Sequence, residues 1–157
     1  MPRARIVWIM LPLTLSGLSC SGEGRRPARV RIGRNVWQVE IADNDATRRR
    51  GLAGRDEVGE GTGMLFAFPR QEVLQFHMLN CRVPLDVAFI SSRLRIVEIR
   101  EMVVEADPAH PTCGYSSKHP ARYALEVPGG SFRRLGVRAG DRVELLGAAL
   151  DAAKGAR

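Results

Sequence analysis

The chain has 157 residues, a length that fits one domain. With 45% hydrophobic and 26% charged residues it has the composition of a folded protein, and no repeat or second long apolar run points to a collagen, coiled-coil or polytopic membrane chain. The net charge of +7 does not imply a nucleic-acid partner: aromatics are only 6%, too few for a stacking surface, and the excess is carried by 22 arginines against 2 lysines.

Arg3 and Arg5 precede an apolar run, Ile6 to Leu18, that closes on Ser19 and Cys20. A basic start, a short apolar stretch and small residues at its end have the form of a secretory signal. The run falls short of the roughly 20 residues that span a bilayer. Leu15-Ser16-Gly17-Leu18-Ser19-Cys20 resembles a bacterial lipobox, with Gly17 where that pattern prefers leucine. The resemblance implies a signal peptide over 1–19 and a lipidated Cys20 as mature N-terminus. Arg25, Arg26, Arg29, Arg31 and Arg34 follow closely and could rest on anionic headgroups. The expected localisation is export, with the domain tethered by lipid to the periplasmic face of a bacterial membrane. Residues 20–28 then form a tether, 29–146 the domain and 147–157 a frayed tail.

Within the domain, Val30 to Ile32 and Val36 to Ala42 read as strands joined by Gly33-Arg34-Asn35. Asp43 is placed to cap a short helix, whose last turn holds Arg48-Arg49-Arg50 and which Gly51 ends. Met64 to Phe68 predicts a strand stopped by Pro69, followed by strands over Val73 to Leu79, Leu85 to Ile90 and Arg95 to Met102. Residues 103–120 read as a long connection, which is usually functional or tied down. Arg122 to Val127 and Arg142 to Leu146 complete the strands, with one helical turn capped by Ser131 and ended by Gly136 between them. Eight short strands and two short helices predict a mainly β, α+β domain, a compact antiparallel barrel or sandwich.

With Cys20 set aside, Cys81 and Cys113 form an even pair in an oxidising compartment, and a disulfide between them is the expected state. Free thiols are one alternative. The other is a copper or zinc site built from His77, Cys81, His110, Cys113 and His119, since imidazole and thiolate suit those metals. Their spacing matches no specific ligand motif, so no metal or other cofactor is expected.

The segments Val39-Glu40-Ile41-Ala42-Asp43, Arg50-Gly51-Leu52, Gly63-Met64-Leu65-Phe66, Phe76 to Ile90, Arg122-Tyr123-Ala124-Leu125-Glu126-Val127 and Gly136-Val137-Arg138-Ala139-Gly140-Asp141 occur in an order that resembles the domain of unknown function 192 family. The resemblance covers about residues 36–146. It implies a compact β-rich fold in bacterial and archaeal proteins, often exported, and brings no established activity. His77 stands where the family pattern has a large aromatic such as tryptophan, and Ser91-Ser92-Arg93 lacks the acidic and glycine residues common at that turn.

Asp86 interrupts the apolar run Leu85 to Ile90, where a buried carboxylate needs partners. It is read first as structural, held by the Asn80–Pro84 turn or by Arg82 or Arg122, and otherwise as a general base near Asn80 and Glu126. His77 is expected to point away from the core, and Glu126 to form a surface pair with Arg122. Asn80, Arg82 and Arg122 are the candidate binding residues. No Gly-x-Ser-x-Gly, phosphate loop or His-Glu-x-x-His motif occurs, and Thr112-Cys113-Gly114 bears only a superficial likeness to cysteine transpeptidases. The first expectation is therefore a membrane-tethered module that binds an envelope protein or a small ligand. The second is a hydrolytic envelope enzyme using Asp86 with His77 or Glu126, and the third a periplasmic copper or zinc handler.

Overall fold

A computed structural model describes residues 27–155. The segments expected as signal peptide and lipidated Cys20, and most of the expected tether, lie outside the described residues. The order of elements is β1 (Arg29–Ile32), β2 (Asn35–Ala42), α1 (Asp45–Arg50), β3 (Thr62–Glu72), β4 (Gln75–His77), β5 (Leu85–Ile90), β6 (Ile96–Met102), β7 (Gly114–Ser116), β8 (Ala121–Pro128), α2 (Ser131–Leu135), β9 (Val143–Leu146) and α3 (Ala148–Gly155). Among the described residues no helix is long and apolar enough to cross a membrane.

Seven strands form one curled sheet in the order β6-β5-β8-β3-β2-β1-β9, and β4 pairs with β7 in a small second sheet. The expected mainly β fold is therefore observed. Every pairing is antiparallel except β2 with β3, where α1 and its following loop carry the chain back to run parallel. The curl brings the two outer strands together at one end, where Arg95 and Arg142 form a bridge and Val143 N–H donates to the Leu94 carbonyl at 2.9 Å.

Strand periodicity sorts the core onto two faces. Trp37, Leu65, Ala88, Ile90, Leu125 and Val127 belong to the inner cluster, with Phe132 of α2 edge-on to Trp37 at 5.7 Å between ring centroids. Residues of opposite parity, among them Met64, Phe66, Val87, Phe89 and Ala124, form the outer cluster, which Phe76 of β4 and the 78–81 turn cover. Both faces of β5 are buried, which is why its sequence is apolar at every position except Asp86.

Several expectations are corrected. The cap of α1 is Asn44, whose side chain accepts from Thr47 N–H at 3.1 Å while Thr47 Oγ1 accepts from Asn44 N–H; Asp43 accepts only from the Asn44 amide group. Thr47 supplies the reciprocal half of a capping box, which moves the start by one residue. Pro69 does not stop β3: the register with β8 shifts between Ala67 and Glu72, and an irregularity is where a strand tolerates proline. The strand expected over Val73 to Leu79 shortens to Gln75–His77, and the long connection holds its partner β7, with Phe76 opposite Tyr115. The tail is a helix, α3, with Ala149 buried and Ala153 packed on the inner cluster; small side chains of high helix propensity let it lie close.

The Cys81–Cys113 disulfide is not formed. Cys81 is buried in the outer cluster and Cys113 is exposed, so the two thiols face different surroundings. The five-residue copper or zinc set does not assemble either. Among the described residues no three His, Cys, Asp or Glu side chains converge on one point, and His110 instead contacts Asp107 at 2.9 Å.

Candidate functional site

Glu126 lies in the middle of β8, opposite Val87 of β5 and Met64 of β3. Both cross-strand neighbours are apolar and offer its carboxyl no hydrogen bond. It is only 4% exposed, and its Oε2 has no partner. Burial raises its pKa from the ordinary 4.5 to about 8, so the group is a neutral carboxylic acid at neutral pH. The expected surface pair with Arg122 is corrected. Arg122 donates to the carbonyls of Phe68 and Ala153 at 3.4 Å each and sits over the Tyr123 ring.

Glu126 lines a cavity of about 270 Å³ on the outer face of the sheet. Phe66 and Phe76, edge-on with centroids 4.9 Å apart, form part of its wall. Cys81 adds a thiol whose pKa is pushed up to about 11 by burial and by the nearby Glu126, so it is a small apolar wall and not a nucleophile. Arg48, Arg49 and Arg50 of α1 stand at the same cavity. Arg48 is committed: it donates to the Ala67 carbonyl at 2.6 Å, pairs with Asp45 at 2.7 Å and lies over Phe68. Arg49 and Arg50 are exposed.

His77 also lines this cavity and is exposed, as its strand parity implies. Its Nδ1 accepts from Leu79 N–H at 3.3 Å, which leaves the proton of the neutral ring on Nε2.

The structure separates Asp86 from this group. Asp86 faces the inner side with Ala88 and Val127, one residue out of phase with Glu126. Its Oδ1 accepts from Gly130 N–H at 2.9 Å and its Oδ2 from Phe132 N–H at 3.1 Å. Gly130 caps α2 without any side chain, and the expected cap Ser131 is already the first helical residue. A carboxylate from another strand thus supplies what the local sequence lacks. The structural reading of Asp86 holds, with partners other than those expected. Arg82 pairs with Asp56 at 2.7 Å, and Asn80 is a turn residue with φ of 54° whose N–H donates to the Pro108 carbonyl at 2.7 Å.

Of the residues singled out in the sequence, His77, Cys81 and Glu126 come together, while Asp86, Asn80, Arg82, Arg122, His110, Cys113 and His119 are not among the residues lining this cavity. Phe66, Phe76 and the α1 arginines were missed as site residues because each has a sufficient local explanation, as core or as helix-end charge. The available signal was Glu126 itself, at a position whose partner segment Met64 to Phe68 is apolar throughout.

These features define a small mixed β domain with a cavity under its α1 edge, floored by a neutral buried acid. The chain belongs to the domain of unknown function 192 family, described as uncharacterized ACR, whose model matches residues 28–145. It is 30% identical over 109 residues to a UPF0127 protein of Pyrococcus furiosus, covering 68% of this chain and 85% of that one. A UPF0127 protein of Thermococcus gammatolerans is 31% identical over 112 residues, covering 69% and 67%. Among solved structures, a protein of Sinorhizobium meliloti 1021 described as a candidate transcription regulator matches with a TM-score of 0.68 and 32% identity, over 79% of this chain and 94% of that one. A protein of unknown function from Novosphingobium aromaticivorans matches with a TM-score of 0.63 and 32% identity, over 75% and 83%.

Proposed function

We propose that the domain is a ligand-binding module, held at the periplasmic face of a membrane by lipid on Cys20, and that the Glu126 cavity is its binding site. The observation that carries this reading is the unpartnered oxygen of a fully enclosed carboxyl at a cavity wall. A buried polar atom without a partner costs free energy that a bound polar group would recover. The neutral acid can both donate and accept, which suits recognition of an uncharged polar group. The lipobox-like segment and the arginines after it support the tether.

The hydrolytic alternative keeps His77 and Glu126, which share the cavity, and loses Asp86, which is occupied in capping α2. Binding is favoured because the cavity's one thiol is raised out of reach of nucleophilic use and no Ser, Thr, Lys or Tyr is among its lining residues, so a neutral Glu126 has no nucleophile to serve there.

Native mass spectrometry of the full chain extracted from its own envelope tests both halves. The expected spectrum shows a lipid on Cys20 and a small-molecule adduct that is lost on unfolding and absent from Glu126→Leu. An unlipidated, adduct-free protein would overturn the reading.

A further inference from the structure

The shape and charge of the cavity narrow what it can hold. Its volume of about 270 Å³ is just under the range of roughly 300 to 1,000 Å³ typical of drug-sized pockets, so the occupant is small. The aromatic edge formed by Phe66 and Phe76 favours a flat apolar body. Arg48 pairs with Asp45, and although Arg49 also feels Asp45 and Arg50 feels Glu40, neither forms an ion pair with these carboxylates, so the three arginines outnumber the one exposed acid among the lining residues. Two guanidiniums at the mouth repel a cation and attract an anion, and their planar donors match a carboxylate. His77 adds an Nε2–H donor to the same wall. Glu126 lines the same cavity, and its Oε2, closed off in the structure, is the buried polar atom there that lacks a partner.

We propose that the Glu126 cavity takes a small aromatic carboxylate that carries a hydroxyl or amino group at the end opposite its charge. The anionic end lies at Arg49 and Arg50, the ring against Phe66 and Phe76, and the far polar group on Glu126. This assignment rests on the binding reading above and adds the polarity of the ligand to it. A cationic amine, the natural partner of an ionised carboxylate, is disfavoured because the arginines stand at the same cavity and it would have to ionise the buried acid.

Titration of the isotope-labelled full chain with 4-hydroxybenzoate, benzoate, benzamide and benzamidine, following the amides of Gln75 and His77, is the test. The expected order is 4-hydroxybenzoate tightest, benzoate next, and benzamide at least about tenfold weaker, with no shift from benzamidine. Replacing both Arg49 and Arg50 with Gln should weaken 4-hydroxybenzoate by about tenfold or more while leaving benzamide unchanged. Glu126→Gln, which keeps a donor and an acceptor in place, should retain benzoate binding. If benzamidine binds best, or the arginine variant binds the acids as before, the anion assignment is wrong and the cavity reading stands. If none of the four moves the cavity amides while the protein is folded, the cavity reading itself falls.

Discussion

At the scale of single residues, two buried acids on neighbouring strands have opposite fates. Glu126 is enclosed without a partner and is neutral, so folding takes up a proton that the unfolded chain releases above about 4.5. The raised folded pKa means that stability is fully present below 4.5 and is lost as pH rises through about 8. Between those values the slope approaches about 1.4 kcal/mol per pH unit for this one group. Glu126→Gln should flatten that slope and be the more stable protein above neutral pH, as read by urea unfolding at several pH values. Equal slopes in the two proteins would show that Glu126 is ionised in the fold. Asp86, by contrast, is satisfied by two backbone amides, and Asp86→Ala leaves both Gly130 and Phe132 N–H without that acceptor. The expected loss is about 2 to 4 kcal/mol of stability, combining a lost helix cap with unsatisfied buried donors. Binding of 4-hydroxybenzoate to the folded fraction should be unchanged, because the two acids face opposite sides of the sheet. Asp86→Asn should lie between, since one amide keeps an oxygen acceptor.

At the scale of elements, the strands that were legible are those with an unambiguous pattern. Trp37, Val39 and Ile41 alternate with Gln38 and Glu40, Leu85 to Ile90 is apolar apart from Asp86, and Arg48-Arg49-Arg50 before Gly51 marks a helix end. What was missed depends on partners distant in sequence. Three-residue β7 has no pattern of its own and exists through β4, while α3 looks like an unanchored alanine tail until β1, β2 and β3 provide its bed. Glu126 looked like a surface charge because its alternation with Arg122 is also what an edge strand would show; only the order of the sheet places β8 between β5 and β3. Gly63 is a further case, since nothing local reveals why it is glycine. It stands on β3 where a Cβ would come within 2.2 Å of the Glu126 carbonyl oxygen. Gly63→Ala must push β3 from β8 beside the Glu126 backbone, and overpacking of this kind costs about 1 to 3 kcal/mol or more. The expected outcome is a lowered unfolding midpoint together with weakened 4-hydroxybenzoate binding. A variant as stable as the parent would show that the two strands can part there without consequence.

At the scale of the whole molecule, the fold divides into a firm sheet and a lighter cover. β5 and β8 are buried on both faces and pair with neighbours on both edges, so their amides can exchange only when the sheet comes apart. The cover is the β4–β7 ribbon, three residue pairs long, which carries Phe76 inward and Gln75 and His77 outward along the cavity. A short two-stranded ribbon is marginal alone and relies on the surface beneath it. Opening of the cover should therefore cost less than global unfolding, which gives a ligand a route to the buried Glu126 without disturbing the inner cluster. Hydrogen exchange of the full chain should show Leu85–Ile90 and Ala121–Pro128 exchanging at the global free energy, with Gln75–His77 and Gly114–Ser116 exchanging by a smaller local opening. Added 4-hydroxybenzoate should slow exchange of the ribbon by the same factor as global unfolding and leave local fraying of the β1–β9 edge unaffected, because ligand opposes only those openings that break its site. If ribbon and sheet exchange as one unit, the cover does not open separately, and entry to Glu126 must run past the α1 arginines in the closed state.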